Sequence, residues 1–231
     1  MTKIFCDIAD LETIRAFNKK TIVRGFTTNP SLMRKAGAKD YIKYANQIVK
    51  ICKNKPVSLE VFGDDYQDIK KQALILNDLG KNVYVKIPIM NSKGKFMGKI
   101  IKELNQRKIK LNITAVYNSE QTNKILKNIN KSSKVIISIF AGRMADTGKD
   151  PIPEFKKSLR ISRGYKNVEI LWASTREAYN YFQAKKINCQ IITIPPSIIL
   201  KIENFGKSFK ELTIETVKTF LNDARKSKFK I

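Results

Sequence analysis

The chain has 231 residues, 42% hydrophobic and 28% charged, which is enough to bury a sizeable core and ordinary for a soluble globular protein. It carries 45 basic against 20 acidic residues and no histidine. The missing histidine excludes serine–histidine and cysteine–histidine nucleophile systems and histidine-based zinc sites, leaving Asp, Glu, Lys, Tyr or Cys for acid–base chemistry. A formal charge of +25 would ordinarily point to nucleic acid. Here the lysines are scattered through every segment, arginine is sparse, and no basic block forms an arm. The expectation is a solvated basic surface with no specific nucleic-acid partner, whose field draws in anionic metabolites such as sugar phosphates. Cys6, Cys52 and Cys189 form no CxxC pair, which suits a reducing compartment. No apolar run approaches a membrane span and "MTKIFCDIAD" lacks a signal-peptide pattern, so a cytoplasmic location without a membrane partner is expected.

Taken in chain order, the β-branched runs begin with "KIFCDIA", which carries Asp7, and "IVRGFTTN", which ends on Asn29. The helical stretch "DYIKYANQIVKICK" puts Ile42, Ala45, Ile48, Val49 and Cys52 on one face. "VSLEVF" follows with Glu60, and then "YQDIKKQALILNDLG", with Ile69, Ala73, Leu76 and Leu79 on one face and Gly80 as a C-cap. "VYVKIPI" holds Lys86, "LNITAVY" holds Asn112 and Thr114, and "VIISIFAG" holds Ser138 with Arg143 just beyond. "VEILWAS" ends on Ser174, with Arg176 two residues on, and "QIITIPP" is the eighth run. "GKFMGKIIKELNQ" and "NSEQTNKILKNINK" continue the helical pattern between them. Residues 207–227, "KSFKELTIETVKTFLNDARKS", read as an amphipathic helical extension.

Strands alternating with helices imply parallel pairing through helical crossovers. Eight such units over residues 1–231 match one (β/α)8 barrel domain near the small end of its size range. A doubly wound sheet is the alternative, but its GxGxxG fingerprint is missing. Glu60, Lys86, Asn112 and Ser138 recur every 26 residues, each at or near a strand's C-terminal end, the end that carries the chemistry in barrels. Seven of the eight strands contribute a polar residue there, which points to one shared polar site.

Lys86 either reaches out of the barrel mouth or serves as a Schiff-base nucleophile. The second use needs apolar flanks, which Val83, Val85 and Ile87 supply, and nearby cations, for which Arg143 and Arg176 are candidates. Carbonyl chemistry at an imine also needs proton shuttles, and Asp7 and Glu60 are the strand-end carboxylates, with Thr114 and a water as relays. Asn29, followed by Pro30, can cap a helix, present an amide to a substrate hydroxyl, or both. Arg143 in "FAGR" and Arg176 in "ASTR" suit bidentate phosphate binding, with Ser174 adding a bond, or a structural ion pair.

"CDIAD", "GFTTNPSL", "SLEVF", "VYVKIPI", "LNITAVY", "SIFAGRMADTG" and "WASTRE" resemble, in order, the successive motifs of the transaldolase family, which includes the fructose-6-phosphate aldolases. The resemblance covers nearly the whole chain. It implies a (β/α)8 barrel and class I aldol chemistry with no metal and no cofactor. Lys86 matches the imine-forming lysine, Asp7 the first-strand acid–base group, and Glu60 with Thr114 the water-linked relay. Asn29, with Thr28 beside it, and Asn112 match the residues that hold substrate hydroxyls. Ser138 lines the site, and Arg143, Ser174 and Arg176 match the phosphate contacts. The aldolase branch typically has glutamine and tyrosine where this chain has Glu60 and Phe140, so the pairing resembles the transaldolase branch, with a fructose-6-phosphate or dihydroxyacetone-type aldolase as the alternative. Ile139 departs from the proline usual before the aromatic, Thr175 stands between Ser174 and Arg176, and the loop "NSKGKFMG" is idiosyncratic. In short family members the C-terminal helix packs on a neighbour within pentamers or decamers. The alternative is that it closes its own barrel.

Overall fold

A computed structural model describes residues 1–228. Its strands are β1 (Lys3–Asp7), β2 (Val23–Thr27), β3 (Val57–Glu60), β4 (Val83–Pro88), β5 (Leu111–Val116), β6 (Val135–Phe140), β7 (Val168–Ala173) and β8 (Ile191–Ile194). All pair in parallel and in sequence order, and β8 closes onto β1 to complete the expected barrel. The helices are α1 (Leu11–Asn18), α2 (Pro30–Lys35), α3 (Tyr41–Ile51), α4 (Tyr66–Asp78), α5 (Gly98–Gln106), α6 (Ser119–Leu126) and α7 (Ala141–Ala145). They continue with α8 (Ile152–Ser162), α9 (Tyr179–Lys186), α10 (Pro196–Glu203) and α11 (Phe209–Ser227).

Successive side chains on a strand point to opposite faces, so one residue in two faces the barrel interior. The outward set, including Ile4, Cys6, Val57, Leu59, Val85 and Ile87, packs under the helices. The inward set forms layers, and in the middle Phe5, Tyr84, Ile136, Leu171 and Ile191 make a separate apolar cluster. Gly25 makes room for it, because a Cβ there would lie 2.7 Å from the Phe5 ring. This plug divides the barrel into two mouths. Above it, two residues further along each strand, stand Asp7, Thr27, Lys86, Ser138 and Thr193. Below it stand the strand-start residues Lys3, Lys110, Lys134 and Glu169.

The helical faces hold with two exceptions. On α3, Ala45, Ile48 and Val49 are buried but Ile42, in the first turn, is 37% exposed. Gly80 is not a left-handed cap: it is missing from the positive-φ residues, and a Cβ there would meet Val49 Cγ1 at 2.7 Å. Its role is close packing of the α4 exit against α3.

The C-terminal extension is α11, opened by a capping box between Ser208 and Glu211. It does not close its own barrel. None of its residues is buried, and Phe209, Val217 and Phe220 are 89%, 59% and 68% exposed.

Candidate active site

The upper layer is built around Lys86. Its Cα registers with Glu60 on β3 and with Asn112 on β5. The residue is 7% exposed, its Nζ is 2.9 Å from Glu60 Oε2, and it donates to the Thr28 carbonyl at 3.2 Å. A buried ammonium is costly unless paired and hydrogen-bonded, and both conditions are met. The expectation of cationic neighbours is corrected in one respect, since the charge in contact with the amine is a carboxylate. Registration on adjacent parallel strands forces that pairing. Tyr41 anchors the Glu60 backbone from α3, its hydroxyl donating to the Glu60 carbonyl at 2.7 Å.

Asp7, at the end of β1, accepts from Thr27 Oγ1 at 2.6 Å, and the Thr27 hydroxyl lies 2.5 Å from that of Thr193 on β8. Burial pushes the Asp7 carboxyl above its ordinary range; the Glu60 charge adds to the shift, while Lys86 and the Thr27 bond oppose it. A carboxyl whose proton affinity is raised in this way holds a proton more readily than a free one, as a general acid–base group requires.

Thr114 lines the same cavity, and its buried hydroxyl has no hydrogen-bond partner among the described residues. An orphaned buried hydroxyl costs stability unless a polar group meets it. The next residue explains how it is aimed: Ala115 has φ +57°, and the β5–β6 register slips between Ile113 and Val116. A bulge of this kind re-aims a side chain at a barrel rim.

Asp7, Asn29, Lys86, Thr114, Ser138, Phe140, Arg143, Ser174 and Arg176, nine of the twelve residues expected in the site, line one cavity of about 220 Å³. Asn29 does double duty. Its Oδ1 caps α2 by accepting from Leu32 N at 2.9 Å, and it still lines the cavity. Glu60 reaches the site through Lys86. Thr28 and Asn112 do not face the cavity. The Thr28 hydroxyl donates to the Ser58 carbonyl at 3.0 Å, and what Thr28 offers Lys86 is its own carbonyl. Asn112 is fully buried, donating to Ser58 Oγ at 2.9 Å and accepting from Ser138 Oγ at 2.6 Å. It ties three strands together and positions Ser138.

The arginines enter from the loops after β6 and β7. Ser174 takes a left-handed conformation, φ +63°. A Cβ on Gly142 would lie 1.7 Å from the Ser174 carbonyl oxygen, so only glycine lets α7 approach this turn and bring Arg143 beside Arg176. Arg143 lies over the Phe140 ring at 5.7 Å. Arg176 Nε donates to Asp146 at 3.1 Å, a bond that, with the further charge of Arg143, holds the Asp146 carboxyl below its usual range. The structural ion pair weighed for these arginines thus exists for Arg176, and both guanidinium groups still line the cavity.

Sequence reasoning missed Thr27, Thr193, Ser58, Tyr41 and Asp146. The first three were within reach of a period-two reading, standing two residues from Gly25, Ile191 and Glu60. Tyr41 and Asp146 carried no such signal. The thiols are poor catalysts: all three cysteines are buried, and burial pushes Cys52 and Cys189 up to about 12.

The family described as Transaldolase/Fructose-6-phosphate aldolase matches residues 4–231. A probable transaldolase of Nitrosopumilus maritimus is 34% identical over 92% of this chain and 97% of its own. Another, from Mesorhizobium japonicum, is 33% identical over 99% of both chains. Among solved structures, the N-acetylneuraminate lyase of Mycoplasma synoviae superposes with a TM-score of 0.58 at 10% identity, over 82% of this chain and 68% of that one. The thiamine phosphate pyrophosphorylase of Pyrococcus furiosus gives 0.57 at 9%, over 84% and 85%. Those two likenesses speak to the barrel alone. By the span of the family match and the identity of full-length relatives, this chain belongs to the transaldolase/fructose-6-phosphate aldolase family.

Proposed function

We propose that this protein is a transaldolase, moving a dihydroxyacetone unit from a ketose phosphate such as sedoheptulose 7-phosphate or fructose 6-phosphate to an aldose phosphate through an imine on Lys86. The observation that carries the reading is a buried lysine amine 2.9 Å from Glu60, in one cavity with Asp7 and two arginines. Lys86 passes a proton to Glu60 and attacks the ketose carbonyl carbon with the freed lone pair. The carbinolamine then loses water, Glu60 and Thr114 relaying protons through a bridging molecule, to give the iminium. Asp7 takes the proton of the C4 hydroxyl, the C3–C4 bond breaks, and its electrons flow into the iminium to leave an enamine. The aldose phosphate departs, the acceptor aldehyde adds to the enamine carbon as Asp7 returns its proton to the new alkoxide, and water then hydrolyses the resulting iminium to release the product ketose and free Lys86. Arg143 and Arg176 hold the phosphate, which requires Arg176 to share or exchange its bond to Asp146.

Phe140 at the cavity wall and the carboxylate at position 60 favour transfer over simple cleavage, since neither supplies a phenol that could protonate the enamine. A fructose-6-phosphate or dihydroxyacetone-type aldolase is the second reading, supported by the family's two activities. We further propose a homo-oligomer, pentamer or decamer, with the exposed apolar face of α11 laid on a neighbour. Phe182 and Phe205, stacked at 4.9 Å beside α9 and α10 and each at least 40% exposed, offer a complementary patch.

Borohydride reduction with fructose 6-phosphate should attach the three-carbon unit covalently to Lys86, and Lys86→Ala should lose the label. Peptide mapping that places the label on another lysine would sink the mechanism. Free dihydroxyacetone released as fast as transfer proceeds would replace the transaldolase reading with the aldolase one.

A further inference from the structure

The mouth below the apolar plug is a bowl of about 800 Å³ lined by nine cationic side chains and a single carboxylate, Glu169. Lys3 already pairs with that carboxylate at 2.6 Å. Three more cations are engaged locally: Lys20 with Glu203 at 3.0 Å, Lys55 with the Asn18 carbonyl at 2.6 Å, and Lys110 with the Lys81 carbonyl. Lysines at helix C-termini are ordinary, since they meet unsatisfied carbonyls and the negative end of the dipole. The dipole also favours Lys19, the C-cap of α1, and Lys53, one residue past the C-cap of α3, but of these lysines it is Lys55 that bonds a helix-end carbonyl. Lys19, Arg24, Lys53, Lys81 and Lys134 bond no protein group among the described residues, and all five are exposed.

The bowl runs on into a neighbouring groove, which shares Lys3, Lys134 and Glu169 with it and adds Lys131, Arg163 and Lys166. Across both, twelve cations face one carboxylate. The sequence expectation of no concentrated basic face is therefore corrected. The lysines lie far apart along the chain, but each stands at a strand start or in the turn before it, and the barrel gathers all those positions at one end. A concave surface of one sign over a low-dielectric floor focuses its field and concentrates counter-ions. Like charges this crowded repel one another unless an anion neutralises several at once. Two adjoining basic concavities suit an anion whose charges repeat along its length and that reaches from one into the other. The aromatic floor residues Phe5 and Tyr84 are buried, so the bowl offers contacts to charge and not to base faces.

We propose that the N-terminal mouth of the barrel binds a linear chain of phosphates, without sequence preference, at a site separate from the catalytic cavity. Inorganic polyphosphate and the backbone of a single-stranded nucleic acid share that chemistry.

The test is fluorescence anisotropy of the full-length protein with a labelled, mixed-sequence single strand of about 12 nucleotides, within the usual site sizes. Direct titration of inorganic polyphosphate of similar length runs in parallel. Three proteins are compared: the parent, the triple variant Lys53→Glu/Lys81→Glu/Lys134→Glu, and a control with Lys210→Glu/Lys218→Glu/Lys226→Glu on α11. The parent should bind at least one of the two polymers, and which one it binds identifies the source. The mouth variant should lose about tenfold or more in affinity, while the control stays within about twofold. The log–log salt slope of the mouth variant should flatten by about 2, as three lost phosphate contacts on a single strand require. Unchanged sugar-phosphate turnover reports intact folding. If charge reversal disturbs folding, the neutral pair Lys81→Gln/Lys134→Gln and the rise in parent Tm on adding polyphosphate carry the same comparison. Failure of the parent to bind either polymer, or equal losses in the mouth and control variants, would overturn the proposal.

Discussion

The two mouths of this barrel treat charge in opposite ways. At the C-terminal mouth each of two cations meets a carboxylate, Lys86 with Glu60 and Arg176 with Asp146, and Asp7 lies close enough to Lys86 to feel its charge. Among the described residues of the N-terminal mouth, five cations stand without a protein partner beside the single, already engaged Glu169. The two sets lie at opposite ends of the same barrel, separated by one apolar layer. Balanced opposite charges in a small buried space suit proton transfer, because moving a proton between them creates little new net charge. Unbalanced charges on an open bowl suit capture of an anion from solution. The same scaffold thus supports two kinds of electrostatics, and the variants below bear on that contrast in order of expected effect.

Removing Asp7, the carboxyl proposed as the acid–base group, should matter most. Asp7→Asn should lower kcat by about 10²- to 10⁴-fold, the usual contribution of a positioned general acid–base group. It should also raise thermal stability at neutral pH. The Asp7 carboxyl binds its proton more tightly folded than unfolded, so in the window between its unfolded and folded values the native state holds more protons. Stability from this group is then complete at low pH and falls as pH rises through that window. The variant should flatten that part of the Tm–pH curve. A Tm that drops, with no change in its pH dependence, would mean Asp7 is structural.

The arginines come next. Arg176→Ala should raise KM for phosphorylated sugars by roughly 10- to 150-fold, equivalent to about 1.5–3 kcal/mol, with little change for unphosphorylated analogues. Asp146→Asn should lower that KM if phosphate must compete for the guanidinium. Equal losses for both substrate types would make the arginines structural. A smaller shift is expected at the cavity wall, where Phe140→Tyr should move partitioning toward free dihydroxyacetone by about tenfold. That requires only about 1.4 kcal/mol between two barriers. Acceptor-free cleavage measured beside coupled transfer reads it directly.

The smallest effect belongs to the lower mouth. Lys134→Gln should leave turnover within about twofold and slightly raise Tm at low ionic strength, by relieving repulsion. That gain should vanish near 1 M salt, where the Debye length is about 3 Å. A salt-independent change would mean the lower mouth's charges are already compensated, and the contrast between the two ends would fail.

What the sequence determined by itself was local and periodic. Alternating runs and helical faces specified eight strand–helix units, and polar residues near strand ends marked eight of the cavity's lining residues, because strand exits and 3.6-residue faces are written in neighbouring positions. The cap at Asn29 was legible for the same reason. What needed the tertiary structure were relations between strands. Registration decided that Lys86 meets Glu60 and that Asn112 is spent on Ser58 and Ser138. Close approach decided that Gly142 must be glycine, because the Ser174 carbonyl comes from a turn 32 residues away in the chain. Scattered along the chain, the lysines read as a dilute surface. Barrel closure brings every strand start to one rim, so charges distant in sequence become neighbours in space, and Coulomb's law depends on that spatial distance and not on the separation along the chain.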